Sequence, residues 1–249
     1  MGSRWEQQLG LARSLLIYYG MPWRTRHQLR FYRQFIQPGD LCFDIGAHVG
    51  NRLRLWSRLG ASVVGLEPQP HLMRLLQRFY GRSSQITLLD QAVGAAVGEA
   101  TMYVSERVPA VTSLSAEWIA TVQQDASFSW VDWNGRLTVP VTTLDQLIAE
   151  YGVPAFCKID VEGYELDVLE GVSQPLPALS FEYVAAAKPM ALACLERLEG
   201  LGAYRFNWSV GEHHQWETAV WLTAAEMKEK LDQVESGSGD IYARLQTDP

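Results

Sequence analysis

Short apolar runs alternate with amphipathic segments along this 249-residue chain from residue 40 onward. The apolar runs have the length of buried strands and fall at 41–45, 61–67, 85–90, 155–160 and 178–184. The amphipathic segments have helical spacing and fall at 50–59, 71–81, 142–152, 164–171 and 189–202. Strands that alternate with helices predict a mostly parallel sheet covered on both faces, which is a doubly wound α/β fold.

An insertion at about 98–141 interrupts this alternation. Its pattern predicts two strands and one helix, at 98–105, 137–141 and 113–124. Because proline cannot donate a hydrogen bond to a sheet, Pro140 is expected near the edge or the end of its strand. Weaker strand signals fall at 203–207, 217–222 and 240–245. The segment SGSG at 236–239 predicts a turn or a short linker.

The first 39 residues predict a helical extension that precedes an α/β domain at 40–249. Two amphipathic patterns predict helices at 4–19 and 23–36. Residues 2–36 contain Glu6 as their only acid, and their arginines are Arg4, Arg13, Arg24, Arg26, Arg30 and Arg33. A solvated helix face explains these arginines; a cap that attracts an anionic substrate or a membrane surface is the alternative. We favour the solvated face, since arginines at helical spacing need no partner.

The overall composition is that of an ordinary globular protein and narrows the classes of partner. The formal net charge is −7 and the pI is about 5.3, which does not indicate nucleic-acid binding. The apolar run LLIYYGMPW at 15–23 is too short to span a bilayer and lacks the layout of a signal peptide, so we expect a cytoplasmic protein. The three cysteines are widely spaced, so Cys42, Cys157 and Cys194 are interpreted as buried thiols.

The first predicted strand leads into a glycine-containing turn of sequence DIGAHVG. Asp44 ends the strand, and Gly46 and Gly50 precede the next helix. A dinucleotide site requires G-x-G-x-x-G, whose middle glycine lets a pyrophosphate approach the backbone. His48 stands at that middle position. The turn therefore favours S-adenosylmethionine, whose amino acid portion carries no pyrophosphate, over a dinucleotide.

Acidic residues also end the second and third predicted strands. Glu67 follows Gly46 by 21 residues, at a position where a carboxylate can accept hydrogen bonds from both ribose hydroxyls. Asp90 ends the third strand and is a candidate for the adenine amino group, with Gln91 as its neighbouring competitor. Each residue alone could be a helix cap or a solvated strand end. Three acids at three successive strand ends predict a nucleoside site.

A second group of ionisable residues follows the strand at 155–160. Lys158, Asp160, Glu162 and Glu182 are expected to cluster at the carboxyl edge of the sheet, where Asp44 is also near. Such a cluster is either a buried charge network or a pocket in which a carboxylate orients or deprotonates a hydroxyl. A Mg²⁺ site is chemically possible. We rank it lower, because the lysine already supplies positive charge, and we predict no metal.

Five segments of the chain resemble FkbM-type methyltransferases. They are DIGAHVG (44–50), LEPQP (66–70), AVGAAVGEATMYV (92–104), VPVTTLDQL (139–147) and KIDVEGYELDVLEG (158–171). The resemblance runs from about residue 40 to about 222. It implies the class I methyltransferase fold, which is Rossmann-like, with S-adenosyl-L-methionine as the cofactor. Characterised relatives methylate hydroxyl groups on natural products or sugars.

The same resemblance implies roles for individual residues. It assigns Asp44, Gly46 and Gly50 to the methionine part of the cofactor and Glu67 to the ribose. Asp160 and Glu162 would lie at the reaction centre. The family usually has asparagine at the position of His48; histidine can still form a hydrogen bond, and a role in packing the turn is favoured over a role as a base.

We therefore expect an enzyme that methylates a hydroxyl of a small molecule, with no nucleic-acid partner and no transmembrane segment. Asp160 or Glu162 would position or accept the proton, and Lys158 would hold the carboxylate. An N-methyltransferase on the same fold and a non-catalytic nucleoside-binding module are the alternatives. His213 and His214, expected to be exposed, are weaker candidates for the base. The insertion tryptophans either wall the acceptor or pack in the core, and they are Trp118, Trp130 and Trp133.

Overall fold

The computed structural model describes residues 22–105 and 107–246, with side chains described from residue 24. The predicted helix at 4–19 lies outside these residues. The second predicted helix forms at Pro22–Tyr32 (α1) and ends earlier than expected, in turns that lead to the first strand. Among the described residues, no helix combines the length and the apolar character needed to cross a membrane.

A seven-stranded sheet organises the molecule. Its strands are Leu41–Ile45 (β1), Ser62–Leu66 (β2), Ile86–Leu89 (β3), Phe156–Ile159 (β7), Ala178–Val184 (β8), Tyr204–Val210 (β9) and Ser238–Leu245 (β10). The order is β3-β2-β1-β7-β8-β10-β9. All neighbours are parallel except β10, which is antiparallel to both β8 and β9. The strand order turns at β1, so the carboxyl ends of β1, β2 and β7 surround a crevice of the kind that binds ligands in open α/β sheets.

Helices cover both faces of this sheet, as predicted. On one face lie α1, Asn51–Arg58 (α2) and Pro70–Tyr80 (α3). On the other face lie Leu144–Tyr151 (α5), Glu165–Glu170 (α6), Lys188–Leu201 (α7) and Ala224–Asp232 (α8). Alternate residues of each strand supply the two cores, as the period of two requires: Phe43 packs with the second group of helices, and Cys42 with the first.

The helical extension shares a core with the sheet. Tyr32 and Phe35 pack against Phe156 of β7, and Tyr32 also meets Trp56 of α2. Phe35 stacks on Tyr242 of β10 at a ring distance of 5.8 Å. These contacts make α1 a part of the helical layer on this face.

The insertion and the short segment before it form a second, three-stranded sheet. Its strands are Ala92–Val93 (β4), Gly98–Val104 (β5) and Gly135–Thr142 (β6), and the helix Ala116–Val122 (α4) packs beside it. The order is β4-β6-β5. Pro140 lies in the middle strand, but β4 pairs only with Val141 and Thr142. Pro140 therefore lies just beyond the end of that pairing, as proline in a strand requires.

Three details at the carboxyl-terminal end differ from the sequence predictions. The predicted strand at 217–222 is wrong, because that segment makes only a single bridge between Phe206 and Leu222. The helix α8 was not predicted. Its start is fixed by a capping box, in which Thr223 accepts from the amide of Glu226 and the Glu226 carboxylate accepts from Thr223. The predicted turn at 236–239 is partly strand, since β10 begins at Ser238.

Candidate active site

A deep cleft opens at the carboxyl edge of the large sheet and has an open volume of about 890 Å³. The turns after β1, β2 and β7 form its floor, and residues 109–114 of the insertion form part of its wall. Of the sequence-predicted site residues, the cleft is lined by Gly46, His48, Glu67, Gln91, Asp160, Glu162 and Glu182.

Gly46 is required at its position by two separate constraints. Its φ of 86° lies in the left-handed region, and a Cβ atom there would overlap the carbonyl oxygen of Asp160. The turn after β1 thus packs backbone to backbone against the turn after β7. Gly50 also has a positive φ, of 78°, but it contacts Leu76 and Tyr80 and does not line the cleft.

Arg52 links these two turns by ion pairs that the sequence did not predict. Its guanidinium donates to Asp44 at 2.6 Å, to Asp160 at 2.7 Å and to the carbonyl oxygen of Gly46 at 2.8 Å. The Asp44 side chain is fully buried and lies behind the cleft wall, so its carboxylate faces Arg52. Burial raises the pKa of Asp44, and Arg52 opposes that rise. The assignment of Asp44 to the methionine part of the cofactor stays a prediction.

Lys158 lies beneath the cleft and does not line it. Its ammonium group lies 2.8 Å from Asp240 of β10 and 3.8 Å from Asp160. Burial lowers the pKa of Lys158, but Asp160 and Asp240 outweigh that effect and raise it. Burial likewise raises the pKa of Asp160, but Lys158 and Arg52 outweigh it, so the Asp160 pKa is below its usual value. Asp160 is therefore an ionised carboxylate held by two cations.

Glu67 is buried at the end of β2 with its carboxylate in the cleft. One oxygen accepts the amide of His48 at 2.9 Å, and the other accepts the amide of Gln69 at 2.9 Å. Burial raises the pKa of Glu67 to about 7, although these two donors lower it. Each oxygen keeps a further lone pair, so the carboxylate can still accept hydroxyl groups from a ligand.

The end of β3 presents Gln91, not Asp90, to the cleft. Asp90 is exposed and does not line the cavity, whereas Gln91 does. The interaction of Asp90 with an adenine amino group stays a prediction, and the geometry favours its competitor. His48 lies in the turn with a φ of 48°. Burial lowers the pKa of His48 to about 4, so its imidazole is neutral at pH 7.

Glu162 and Glu182 face Asp160 across the end of the cleft. One carboxylate oxygen from each of the three residues lies within 4.8 Å of the others. Burial raises the pKa of Glu162 well above its usual value, and the charge of Asp160 adds to the rise. Burial also raises the pKa of Glu182, with further contributions from Glu162 and Asp160. Glu182 Oε2 is buried and has no hydrogen-bond partner among the described residues.

The loop that carries Glu162 is shaped by two residues that the sequence reasoning missed. Glu162 has a φ of 53°, which is uncommon for a residue with a side chain. The Glu165 carboxylate accepts the amides of Val161 and Gly163, at 3.1 and 3.3 Å. The Ser113 hydroxyl donates to the carbonyl oxygen of Glu162 at 2.5 Å. The repeated acid in KIDVEGYE was the available signal for Glu165.

The cleft lining does not include His213, His214 or the three insertion tryptophans. His214 is buried, which corrects the expectation that both histidines are exposed; its ring packs on Phe31 and Tyr32 of α1. His213 is exposed. Of the insertion tryptophans, Trp118 and Trp133 are buried in the core of the insertion, whereas Trp130 is 54% exposed. The three cysteines are free and buried, as predicted.

The strand order with its antiparallel β10, and the cleft between the β1 and β7 turns, are those of the Rossmann-like fold of class I methyltransferases. The chain belongs to the family of the methyltransferase FkbM domain, whose model matches residues 44–232. S-adenosyl-L-methionine is accordingly its cofactor. The resemblance in the sequence, the fold class and the cofactor that it implied are confirmed.

The solved structures that match this chain have little sequence in common with it. The precorrin-6y C5,15-methyltransferase from Geobacter metallireducens GS-15 is 14% identical, over 90% of this chain and 87% of that one, with a TM-score of 0.45. An O-methyltransferase from Bacillus cereus, solved in complex with SAH, is 12% identical, over 98% and 90%, with a TM-score of 0.42. No curated protein matches the chain significantly in sequence.

The residues of the cleft fit this cofactor. Glu67 offers two acceptor oxygens, and the neighbouring Gln69 Oε1 is buried with no hydrogen-bond partner among the described residues. Gly46 brings bare backbone to the cleft surface beside them. A ligand with paired hydroxyl groups and a zwitterionic end would pair with these groups. Glu67 would hold the ribose, the Gly46 turn the amino acid part, and Gln91 the base.

Proposed function

We propose that this methyltransferase transfers the methyl group to a hydroxyl of a small-molecule acceptor, such as a sugar or a natural product. The observation that carries the proposal is the group of Asp160, Glu162 and Glu182 at one end of the cleft. One of these carboxylates is held ionised, and the other two have raised pKa values. Neighbouring carboxylates whose pKa values are shifted in opposite directions suit acid–base chemistry on a hydroxyl.

The bound cofactor supplies an electrophilic methyl group on a sulfonium. A hydroxyl is a weak nucleophile until its proton begins to leave, so a carboxylate that accepts this proton accelerates the transfer. Glu162 Oε or Glu182 Oε is the proposed acceptor, in its ionised form. A raised pKa makes each glutamate a stronger base than an ordinary carboxylate.

Asp160 is better suited to orienting the acceptor than to removing its proton. One of its oxygens, Oδ2, already accepts Arg52 at 2.7 Å. A carboxylate with a lowered pKa is a weak base. Lys158 supports the proposal indirectly, because it holds Asp160 from beneath the cleft and does not line it. The base is therefore proposed to be Glu162 or Glu182, and Lys158 a positioning residue.

Alignment of the acceptor with the methyl group supplies the rest of the rate acceleration. Well-oriented reactants gain roughly 7–11 kcal/mol in favourable systems. Met102, Pro109 and Leu114 of the insertion line the cleft and add apolar surface to it. The insertion therefore supports the proposal of a small organic acceptor. A cytoplasmic location stays a prediction.

The three carboxylates are also close enough for one divalent cation, which would orient the hydroxyl in place of a base. We propose direct proton transfer, because Arg52 and Lys158 already place two positive charges beside Asp160. Turnover should therefore persist in excess EDTA. Loss of turnover in EDTA and its recovery with Mg²⁺ would replace the base mechanism with a metal-assisted one.

The test is a mass-spectrometric screen of the purified protein with S-adenosyl-L-methionine and matched panels of alcohols and amines. We expect a methylated hydroxyl. With that acceptor, Glu162→Gln or Glu182→Gln should lower kcat by about 10²–10⁴-fold, which is the usual contribution of general base catalysis. Glu170→Gln, on an exposed position of α6, is the control and should retain full turnover.

Three outcomes would contradict the proposal. Methylated amines only would indicate an N-methyltransferase on the same fold. Cofactor binding without turnover on any acceptor would indicate a binding module. Full turnover in both glutamine variants would show that neither Glu162 nor Glu182 is needed for the reaction.

A further inference from the structure

The helical layer formed by α1, α2 and α3 carries positive charge only. Residues 22–82 contain ten arginines, no lysine and three acids, and none of the acids lies in a helix. Asp44 and Glu67 are buried in the site, and Asp40 is partly buried where it accepts the amide of Gln37. The charges on the outer side of this layer are therefore almost all guanidinium groups.

Seven of these arginines are exposed, and we call them the arginine face: they are Arg26, Arg30, Arg33, Arg58, Arg74, Arg78 and Arg82. None of the seven forms an ion pair with any residue in the described part of the chain. Arg74, Arg78 and Arg82 are spaced four residues apart and follow one stripe along and beyond α3. A solvated helix normally mixes both signs of charge, whereas this layer does not.

The opposite helical layer is mostly acidic. The helices α5, α6, α7 and α8 contain ten acids and four basic residues. The sheet lies between the two layers, so the molecule is polarised from its arginine face to its acidic face. An anionic surface would attract the first face and repel the second, and it would thereby orient the whole enzyme.

The arginine face also has an exposed aromatic residue. Phe79 of α3 is 52% exposed and adjoins Arg78 in the sequence. An aromatic ring beside basic side chains is typical of helices that lie on a membrane surface, where the ring enters the headgroup region. The lining of the active-site cleft includes none of the seven arginines.

We propose that the arginine face binds the surface of a bilayer that contains anionic phospholipids. Guanidinium groups pair well with phosphate, and each basic residue near an anionic bilayer contributes about 1 kcal/mol. A single-stranded nucleic acid fits less well, because such sites combine a basic groove with several stacking aromatics. Here the described residues of the face include one exposed aromatic ring, that of Phe79. The inference is independent of the proposed acceptor, since it concerns a surface outside the cleft.

Co-sedimentation with vesicles tests the proposal on the full-length protein. The vesicles are phosphatidylcholine alone or an equal mixture of phosphatidylcholine and phosphatidylglycerol. We expect binding to the anionic vesicles only, and its loss near 1 M salt, at which the Debye length falls to about 3 Å. The combined variant Arg74→Glu, Arg78→Glu and Arg82→Glu should weaken binding at least about 100-fold, from three arginines at about 1 kcal/mol each.

The matched control reverses three cations outside the face, Arg107→Glu, Arg205→Glu and Lys230→Glu, and changes the net charge by the same amount. It should retain vesicle binding. Both variants should keep the wild-type melting temperature and the wild-type affinity for S-adenosylhomocysteine, which separates this test from the proposed function. Equal weakening by both variants, no binding of the wild type to anionic vesicles, or binding to an RNA oligonucleotide but not to vesicles would overturn the proposal.

Discussion

Replacement of Arg52 by methionine should destabilise the protein strongly, because it leaves a buried charge without its partner. Arg52 donates to Asp44, to Asp160 and to the carbonyl oxygen of Gly46. Asp160 would keep Lys158 at 3.8 Å, but the fully buried Asp44 would lose its only hydrogen-bonding cation among the described residues. Removing one partner of a buried ion pair costs about 3–5 kcal/mol. That loss is a large part of the roughly 5–15 kcal/mol that holds a typical domain folded.

The pH dependence of this loss identifies its cause. In Arg52→Met, burial still raises the pKa of Asp44, while the group that most opposes that rise is gone. A carboxyl whose folded pKa exceeds its unfolded value gives stability at low pH that is lost as pH rises through the folded pKa. The deficit should therefore be small near pH 4 and should grow toward pH 8.

Urea unfolding of the wild type and the variant at several pH values measures this deficit. Arg58→Met, at an exposed position of the same helix, is the control and should change stability by less than about 0.5 kcal/mol. Adding Asp44→Asn to Arg52→Met removes the unpaired charge, so the double variant should lose less than the sum of the two single losses. A deficit below about 1 kcal/mol, or one that does not change with pH, would refute the reasoning.

Two further predictions concern the cofactor end of the cleft. Glu67→Ala should weaken S-adenosylhomocysteine binding in calorimetry by about 1.5–3 kcal/mol, the usual value for hydrogen bonds to a charged group. Because burial raises the pKa of Glu67 to about 7, the affinity of the wild type should also fall as the pH drops below 7. Unchanged affinity would reject the ribose assignment. Gly46→Ala should lower the free energy of unfolding. A residue with a side chain pays about 1–2 kcal/mol for a left-handed backbone. The loss should be larger than this, because the new Cβ also meets Asp160. Gly98→Ala, where a Cβ meets nothing within 4 Å, is the control, and an equal effect at both glycines would contradict this reading.

The local pattern of the sequence was sufficient for most of the fold. Apolar runs and glycine turns have short-range causes, so β1, β2, β7 and β8 fall within a residue or two of their predicted bounds. The missed helix α8 also had a local signal, since TAAE at 223–226 is a capping box. The wrong strand at 217–222 has apolar residues, but the edge of the sheet offers it only one bridge.

The charge network of the site was only partly predictable. The acids at the strand ends were visible, because parallel strands bring their carboxyl ends to one edge. The role of Arg52 was not visible, since an arginine in an amphipathic helix is normally predicted to be solvated. Only the fold shows that its guanidinium pairs with Asp44. Asp240 was missed for a related reason, as its pairing with Lys158 joins residues 82 positions apart. The burial of His214 was missed as well, because Phe31 and Tyr32, which pack on its ring, lie in the distant helix α1.

The ion pair between Lys158 and Asp240 has a consequence for the synthesis of the protein. Asp240 lies in β10, which inserts between β8 and β9 although it follows both of them in the sequence. Before β10 has been synthesised, the nascent sheet has a gap and the ammonium of Lys158 has no anion at 2.8 Å on that side. The floor of the cleft therefore becomes complete only after residue 245 has been synthesised, and no amino-terminal fragment that stops before residue 238 can build it.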